Sequence, residues 1–271
     1  MLFQWLAGFG DGVRFFWLCC LLCCSPVVTA KADLALAELK PPLRVVLEIS
    51  PPHQTLQQGE VGGLTTILVR QLLTELQLAP AFEVYPWARA VKIAASTPNV
   101  LIYNIARTKE REAQFEWIGP IAGYRLGFVR LKQRTDIKIN TLDDARAFNI
   151  AVQRGDFATE WLVQQQFRPG SQLQIQPDIE ASWRMLLLGK ADLLVDDPMA
   201  INSMLQKLGI SATEVEFAWF IPELAQPTWL ALNKNSAPGL LTALRNSYQH
   251  LSQQSQFQQG LQAAGVVPAG R

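Results

Sequence analysis

The chain has 271 residues, of which 49% are hydrophobic and 17% are charged, a composition typical of a folded protein and not of a disordered one. Its 24 Lys and Arg residues are balanced by 23 Asp and Glu residues, so the formal net charge is +1. This balance lacks the basic excess with which proteins bind a phosphate backbone, and no nucleic-acid partner is expected.

The first thirty residues have the pattern of a cleaved signal peptide. Arg14 precedes an uncharged apolar run from Phe15 to Cys24, and Pro26 and small residues up to Ala30 follow it. The run is too short for a membrane span, which needs about 20 apolar residues. We therefore expect cleavage after Ala30 and a periplasmic location; an uncleaved N-terminal anchor is the alternative.

All four cysteines lie inside this predicted leader, at Cys19, Cys20, Cys23 and Cys24. The mature chain is therefore expected to have no disulfide, no thiol nucleophile and no thiolate metal site. Its two histidines, His53 and His250, are far apart in the sequence. Neither a metal nor a cofactor is predicted.

After the leader, predicted strands and helices alternate. The strands are residues 43–49, 81–85 and 100–105, then 149–153, 173–176, 192–195 and 215–220, and finally 227–234. Apolar residues at helical spacing lie between them and predict helices at 64–78, 87–96, 157–167, 179–189 and 198–208, with an amphipathic helical tail from 240. Single helices between strands imply parallel pairing in a sheet that is covered on both faces.

This order predicts an α/β fold with two lobes. Residues 31–125 are expected to form the first part of lobe 1, residues 126–222 lobe 2, and residues 223–271 the return to lobe 1 with its C-terminal helices. The two connections, near 123–128 and 221–228, would form a hinge. A small ligand would then lie in the cleft between the lobes.

Several motifs carry a resemblance to a known family. YPWARA begins at Tyr85, RTKERE at Arg107, FEWIGP at Phe115 and GKADLLVDD at Gly189. With these motifs and this order of elements, residues 43–265 resemble the periplasmic solute-binding proteins of family 3, the amino-acid-binding type. The resemblance implies the two-lobed periplasmic-binding-protein fold of type II. It also implies a monomer that binds a small polar solute, with a permease or a sensor of the inner membrane as partner.

The resemblance also assigns two ligand contacts. Arg111 matches the arginine that holds the carboxylate of an amino acid, for which a planar guanidinium is well suited. Asp197 matches the carboxylate that takes the ammonium group. From the residues alone, Arg111 is equally consistent with a surface ion pair, and Asp197 with an N-cap before Pro198. We expect the two to face each other across the cleft.

Other candidate ligand contacts depart from the family's pattern. Tyr103 and Asn104 stand where small hydroxyl residues are usual, and Phe157 follows Asp156 where a Thr or Ser commonly supplies a hydroxyl. An aspartate there would repel a carboxylate, which argues against a plain α-amino acid as the ligand.

Two aromatic residues complete the predicted site. Trp87, at a predicted helix start, is expected to stack on a ring or a cation of the ligand. His53 stands where the family tends to place an aromatic residue; an exposed loop histidine is the alternative.

The predicted function is non-enzymatic binding of a solute, an amino acid or a related carboxylate or amine, by closure of the hinge. One alternative is a lyase on the same scaffold, similar to cyclohexadienyl dehydratase, with Glu48 as its general acid or base. Another is a degenerate relative that binds a protein partner. Neither a nucleophile elbow nor a phosphate-binding loop occurs in the sequence.

Overall fold

The computed structural model describes residues 41–267, which form ten strands, seven α-helices and two short 3₁₀ helices. The strands are β1 Arg44–Leu47, β2 Thr55–Gln57, β3 Glu60–Gly62, β4 Ala81–Val84, β5 Val100–Ala106, β6 Phe115–Leu131, β7 Ile150–Gln153, β8 Leu173–Gln176, β9 Leu193–Asp196 and β10 Val215–Asn233. The helices are α1 Leu64–Glu75, α2 Trp87–Ser96, α3 Phe157–Gln164, α4 Ile179–Leu187, α5 Pro198–Leu208, α6 Pro238–Leu251 and α7 Ser255–Ala263. The predicted signal peptide and its cleavage site lie outside the described residues.

Eight strands form one sheet in the order β4-β1-β5-β10-β6-β9-β7-β8, and β2 and β3 form a separate hairpin. At both ends of the sheet the pairing is parallel, β1 with β4 and β5, and β7 with β8 and β9, as the single helices between these strands predicted. The centre is antiparallel, since β10 pairs in that sense with β5 and β6, and β6 with β9. The reason is that β10 takes the chain back from the half with β7, β8 and β9 to the half with β1, β4 and β5. It therefore runs in the direction opposite to its neighbours β5 and β6.

The two longest strands, β6 and β10, join the halves of the sheet. They are 17 and 19 residues long and pair with each other from Val215 opposite Leu131 to Asn233 opposite Phe115. We call the half with β1, β4 and β5 lobe 1 and the half with β7, β8 and β9 lobe 2. The register shifts between Phe220 and Ala225, so β10 carries extra residues where the chain crosses between lobes.

Each lobe has apolar clusters on both faces of its half of the sheet. In lobe 1, α1, α6 and α7 cover one face, and α2 covers the other. In lobe 2, neighbouring residues of β6 point to opposite faces: Phe128 packs with Leu162 of α3, and Val129 packs with Trp183 of α4 and Met204 of α5. This alternation is the two-residue period of a strand that is buried on both sides.

Three helices of lobe 2 begin at aspartates that follow the carboxyl ends of parallel strands. Asp156, Asp178 and Asp197 accept hydrogen bonds from the backbone N–H groups of Ala158, Ala181 and Met199, at 3.3, 2.8 and 2.8 Å. These N-caps satisfy donors that the first turn of a helix leaves unpaired. The three caps place acidic side chains along one edge of lobe 2.

A close backbone approach fixes the C-terminal end of the described chain to β6. Gly123 donates its N–H to the carbonyl of Ala264 at 2.9 Å. A Cβ atom at Gly123 would lie only 2.0 Å from the carbonyl oxygen of Gly265. Since the neighbour is backbone, a side chain there would displace the turn that follows α7.

We expect Gly123→Ala to lower the free energy of unfolding by about 1–3 kcal/mol, the usual cost of overpacking. The measurement is urea denaturation followed by circular dichroism. Gly239→Ala is the matched control: nothing lies within 4 Å of a Cβ there, so no loss of stability is expected, and the higher helix propensity of Ala within α6 should add up to about 1 kcal/mol. Equal stability of the two variants would contradict the close approach.

Candidate functional site

A small cavity of about 50 Å³ lies between the lobes, and we call it the inner cavity. By its size it holds a few water-sized groups. Both lobes and both crossing strands contribute to its walls. The lining residues are Glu48, Ser50, Trp87, Asn104 and Ala106 of lobe 1, Tyr124, Leu126 and Thr228 of the crossing strands, and Gln153, Asp156, Phe157, Ile179, Val195 and Asp196 of lobe 2.

A wider, open pocket of about 440 Å³ lies next to the inner cavity, and we call it the outer pocket. Glu48 lines both spaces, and Asp178 of the outer pocket is followed in the chain by Ile179 of the inner cavity. Arg184 and Lys207 lie at the outer pocket, where both pair with Glu180 at 2.7 and 2.8 Å. The outer pocket therefore has the position of an entrance.

Three carboxyl groups face the inner cavity, and burial changes their acidity. The pKa of Glu48, at the end of β1, rises to about 8, mainly because the group is withdrawn from water, while a hydrogen bond from Gln153 opposes the rise. For the same main reason the pKa of Asp196 rises to about 7 and that of Asp156 to about 6. Among residues 41–267, no lysine or arginine lines this cavity.

Hydrogen bonds hold each of these carboxyl groups in place. Asp196 accepts from Trp183 Nε1 at 2.6 Å and from the N–H of Asp197 at 2.7 Å. Glu48 accepts from Gln153 Nε2, a contact between the lobes. Together with the cap at Asp156, these bonds orient the three carboxyl groups. All of the donors are uncharged N–H groups, so none of them supplies a positive charge to the cavity.

Two further polar atoms at the inner cavity have no partner within the described part of the protein. They are Thr228 Oγ1 and Asn104 Oδ1. The Thr228 residue is only 2% exposed. Asn104 donates its Nδ2 to Thr65 Oγ1 at 3.1 Å, which leaves Oδ1 as the free end of the amide. A buried polar atom without a partner is costly, so both are natural contacts for a solute.

The structure separates the predicted ligand contacts into two groups. Trp87, Asn104 and Phe157 line the inner cavity, whereas Tyr103, His53, Arg111 and Asp197 do not. Ligand contact by any of the seven stays a prediction.

Tyr103 points away from the cavity because successive strand residues face opposite sides. Its hydroxyl hydrogen-bonds with Thr66 Oγ1 at 2.8 Å inside the core of lobe 1. His53 is buried, so the alternative of an exposed loop histidine is wrong. Its ring centroid is 5.0 Å from that of Tyr124, and burial lowers its pKa to about 4.

Asp197 is buried and both of its carboxylate oxygens are engaged. Oδ1 caps α5, and Oδ2 accepts from the N–H of Arg125 at 2.5 Å. The interpretation as an N-cap is therefore confirmed. The second bond also joins α5 to β6 where β6 crosses between the lobes.

Arg111 bridges the lobes from outside the inner cavity. Its guanidinium donates to the carbonyl of Ala106 at 3.2 Å and, across the cleft, to the carbonyl of Gly155 at 3.2 Å. It also lies 3.4 Å from the Glu160 carboxylate. Arg111 and Asp197 thus serve different contacts and do not meet across the cavity in this closed arrangement.

Several residues of the cavity carried little signal in the sequence. Asp196 and Glu48 are recognisable in the sequence as acidic residues at the ends of apolar strands, and the sequence predicts Glu48 only as a candidate catalytic group. Tyr124 and Thr228 lie within the crossing strands, and only the pairing of those strands brings them to the cavity.

Among the described residues, no group of three or more His, Cys, Asp or Glu side chains is arranged to hold a metal ion. Within 41–267, none of the helices has the length and hydropathy needed to cross a membrane.

No protein-family model matches the sequence, and no curated protein matches it. Solved structures do match. A histidine kinase sensor domain with similarity to periplasmic binding proteins is 18% identical, with a TM-score of 0.70 over 80% of this chain and 93% of that one. A variant of ArgBP from T. maritima is 16% identical, with a TM-score of 0.71 over 85% and 98%.

The substrate-binding protein of an amino acid ABC transporter is 15% identical, with a TM-score of 0.66 over 82% of this chain and 98% of that one. At sequence identities this low, the structural similarity establishes the fold alone. The fold implied by the resemblance is thereby confirmed: the chain has the two-lobed α/β fold of the periplasmic binding proteins.

Proposed function

We propose that this protein binds a small polar solute in the inner cavity, between lobes that close around it. The observation that carries the proposal is the cavity itself, because both lobes line it and two of its polar atoms lack protein partners. The similar structures include binding proteins and a sensor domain, which agrees with a receptor that serves a permease or a membrane sensor. A periplasmic location belongs to the same proposal.

Closure follows from where the contacts lie. Trp87 of lobe 1 donates its Nε1 to the carbonyl of Gly155 in lobe 2 at 3.0 Å, and Arg111 donates to the same oxygen. Gln153 and Glu48 form a third bond between lobes. A solute that touches both lobes is bound fully only in the closed form, so it shifts the population towards that form.

One observation favours an enzyme as a second candidate. The raised pKa of Glu48 keeps this carboxyl group protonated near neutral pH, whereas Asp156 nearby has a pKa of about 6. Two carboxyl groups with separated pKa values can serve as acid and base of a lyase. Turnover of a bound cyclic acid, followed by absorbance, would favour this candidate over simple binding.

The proposal predicts that a solute found by a thermal-shift screen contacts Thr228. A ligand at 100 times its Kd stabilises by about 2.7 kcal/mol, which such a screen detects. Thr228→Val removes the unpartnered hydroxyl and keeps the shape of the side chain. We expect affinity to fall about 3–10-fold, the value of one hydrogen bond, while the ligand-free protein keeps its stability. Thr213→Val, at an exposed position, is the control; equal affinities in both variants would refute the assignment of the cavity.

A second prediction concerns Arg111 and the closed form. Arg111→Lys keeps the positive charge but loses the fork that bridges Ala106 and Gly155. We expect the ligand-free protein to become more open, with a larger radius of gyration by X-ray scattering. Solute affinity should fall several-fold, because the binding-competent fraction is smaller.

The matched control for this variant is Arg107→Lys, whose arginine pairs with Glu112 at 2.5 Å within lobe 1. A direct contact between Arg111 and the solute would give a different result. Affinity would then fall while the radius of gyration of the ligand-free protein stayed the same.

A third prediction concerns pH. Closure places Glu48 of lobe 1 against Asp156 and Asp196 of lobe 2, with Asp178 nearby. Burial and, to a smaller extent, these aspartate charges raise the pKa of Glu48 to about 8. Burial raises the pKa values of Asp156 and Asp196 to about 6 and 7. A carboxyl group whose pKa is raised favours the closed form fully below its ordinary pKa of about 4, and this preference is lost as the pH rises through the raised value.

The ligand-free protein should therefore open, and its melting temperature should fall, between about pH 5 and about pH 9. Scattering and thermal unfolding at constant ionic strength measure both quantities. Glu48→Gln should weaken the dependence in the upper part of this range. A radius of gyration that is constant with pH in the parent protein would overturn the prediction.

A further inference from the structure

We propose that the solute of the inner cavity is a small organic cation, an ammonium or guanidinium compound, with no carboxylate next to its charged group. This inference rests on the proposed function and names the ligand class of that same site. Its first basis is charge: Glu48, Asp156 and Asp196 face the cavity from both lobes, and none of the lysines and arginines in residues 41–267 lines it.

The second basis is independent of the acidic cluster. Thr228 Oγ1 is buried at the cavity and has no hydrogen-bond partner, and Asn104 Oδ1 also has none within the described chain. The amide oxygen only accepts, and the hydroxyl can accept. An ammonium or guanidinium group supplies only donors. One kind of ligand thus satisfies both the polar atoms without partners and the charged groups.

A carboxylate beside the charged group has no suitable partner in this cavity. The guanidinium of Arg111 donates to the carbonyls of Ala106 and Gly155 and lies beside Glu160, outside the cavity. A carboxylate bound inside would lie among three carboxyl groups, and once these are ionised, like charges in a dehydrated site repel strongly. An α-amino acid, whose two charged groups are adjacent, is therefore disfavoured.

Size and shape restrict the class further. About 50 Å³ accommodates only a few heavy atoms. Trp87 and Phe157 line the cavity, and aromatic faces attract cations. Any longer substituent would extend past Glu48 into the outer pocket. The charged head thus binds in the inner cavity, and the rest of the molecule points outward.

The test compares amines with the amino acids that differ from them by one carboxylate. The probes are methylammonium and ethylammonium chloride against glycine and alanine, with guanidinium chloride and sodium propionate added. Titrations are followed by calorimetry and protein NMR at about pH 8.5 and constant ionic strength, where the cavity carboxyl groups are largely ionised. We expect saturable binding in the millimolar range for the cations, as befits ligands of so few atoms. The paired amino acids should bind at least about tenfold more weakly, and propionate should not bind.

A pair of variants locates the binding. Asp156→Asn removes one cavity charge and keeps the N-cap of α3, since Asn caps as well as Asp; about tenfold weaker binding of the cations is expected. Glu214→Gln removes a charge from an exposed position of lobe 2 and should leave affinity unchanged. Circular dichroism and the melting temperature verify that both variants fold.

The outcomes separate the two proposals. Glycine or alanine binding as tightly as its amine would overturn the cation inference and leave solute binding intact. The same holds if the cations bind equally to the parent and to Asp156→Asn, or if only an anionic solute from the thermal-shift screen binds. If neither these probes nor any compound of that screen binds, both proposals fail.

Discussion

The pairing of β6 with β10 is the constraint on which the rest of the structure depends. These strands run through both halves of the sheet and pair over almost their whole length. They connect the lobes, but each lobe keeps its own apolar clusters. Because each lobe is packed separately, the two can move relative to each other about the connecting strands. They also bring Tyr124 and Thr228 to the cleft, so one pair of strands supplies both the connection and part of the site.

In the cleft, the contacts that hold the lobes together act against the ionisation of the carboxyl groups buried there. Contacts between the lobes, such as those of Trp87 and Arg111 with Gly155, favour the closed form. In the same arrangement, carboxyl groups of both lobes are withdrawn from water, which raises their pKa values. A cation in the cavity would remove this conflict by supplying the missing charge. Charge compensation and closure thus become a single event.

Local signals in the sequence predicted most of the helices and the parallel strands. Pro198 and Asp178 mark helix starts through interactions within a few residues, and β8 has the predicted bounds. The long strand β6 was not predicted because Gly119, Pro120 and Gly123 count against a strand, and pairing with β10 outweighs them. The contacts of Arg111 depend on how the lobes meet, which no local pattern encodes.

The carbonyl of Gly155 has a kinetic consequence. It accepts from both Trp87 and Arg111, at 3.0 and 3.2 Å, in a turn where Gly155 has φ 71° and where an added Cβ would lie only 3.1 Å from the Cβ of Ala88. Both bonds must break before the lobes can separate. For a solute too large to leave through the outer pocket, dissociation would then be limited by this opening step, so chemically different solutes of this kind would leave at similar rates even where their affinities differ.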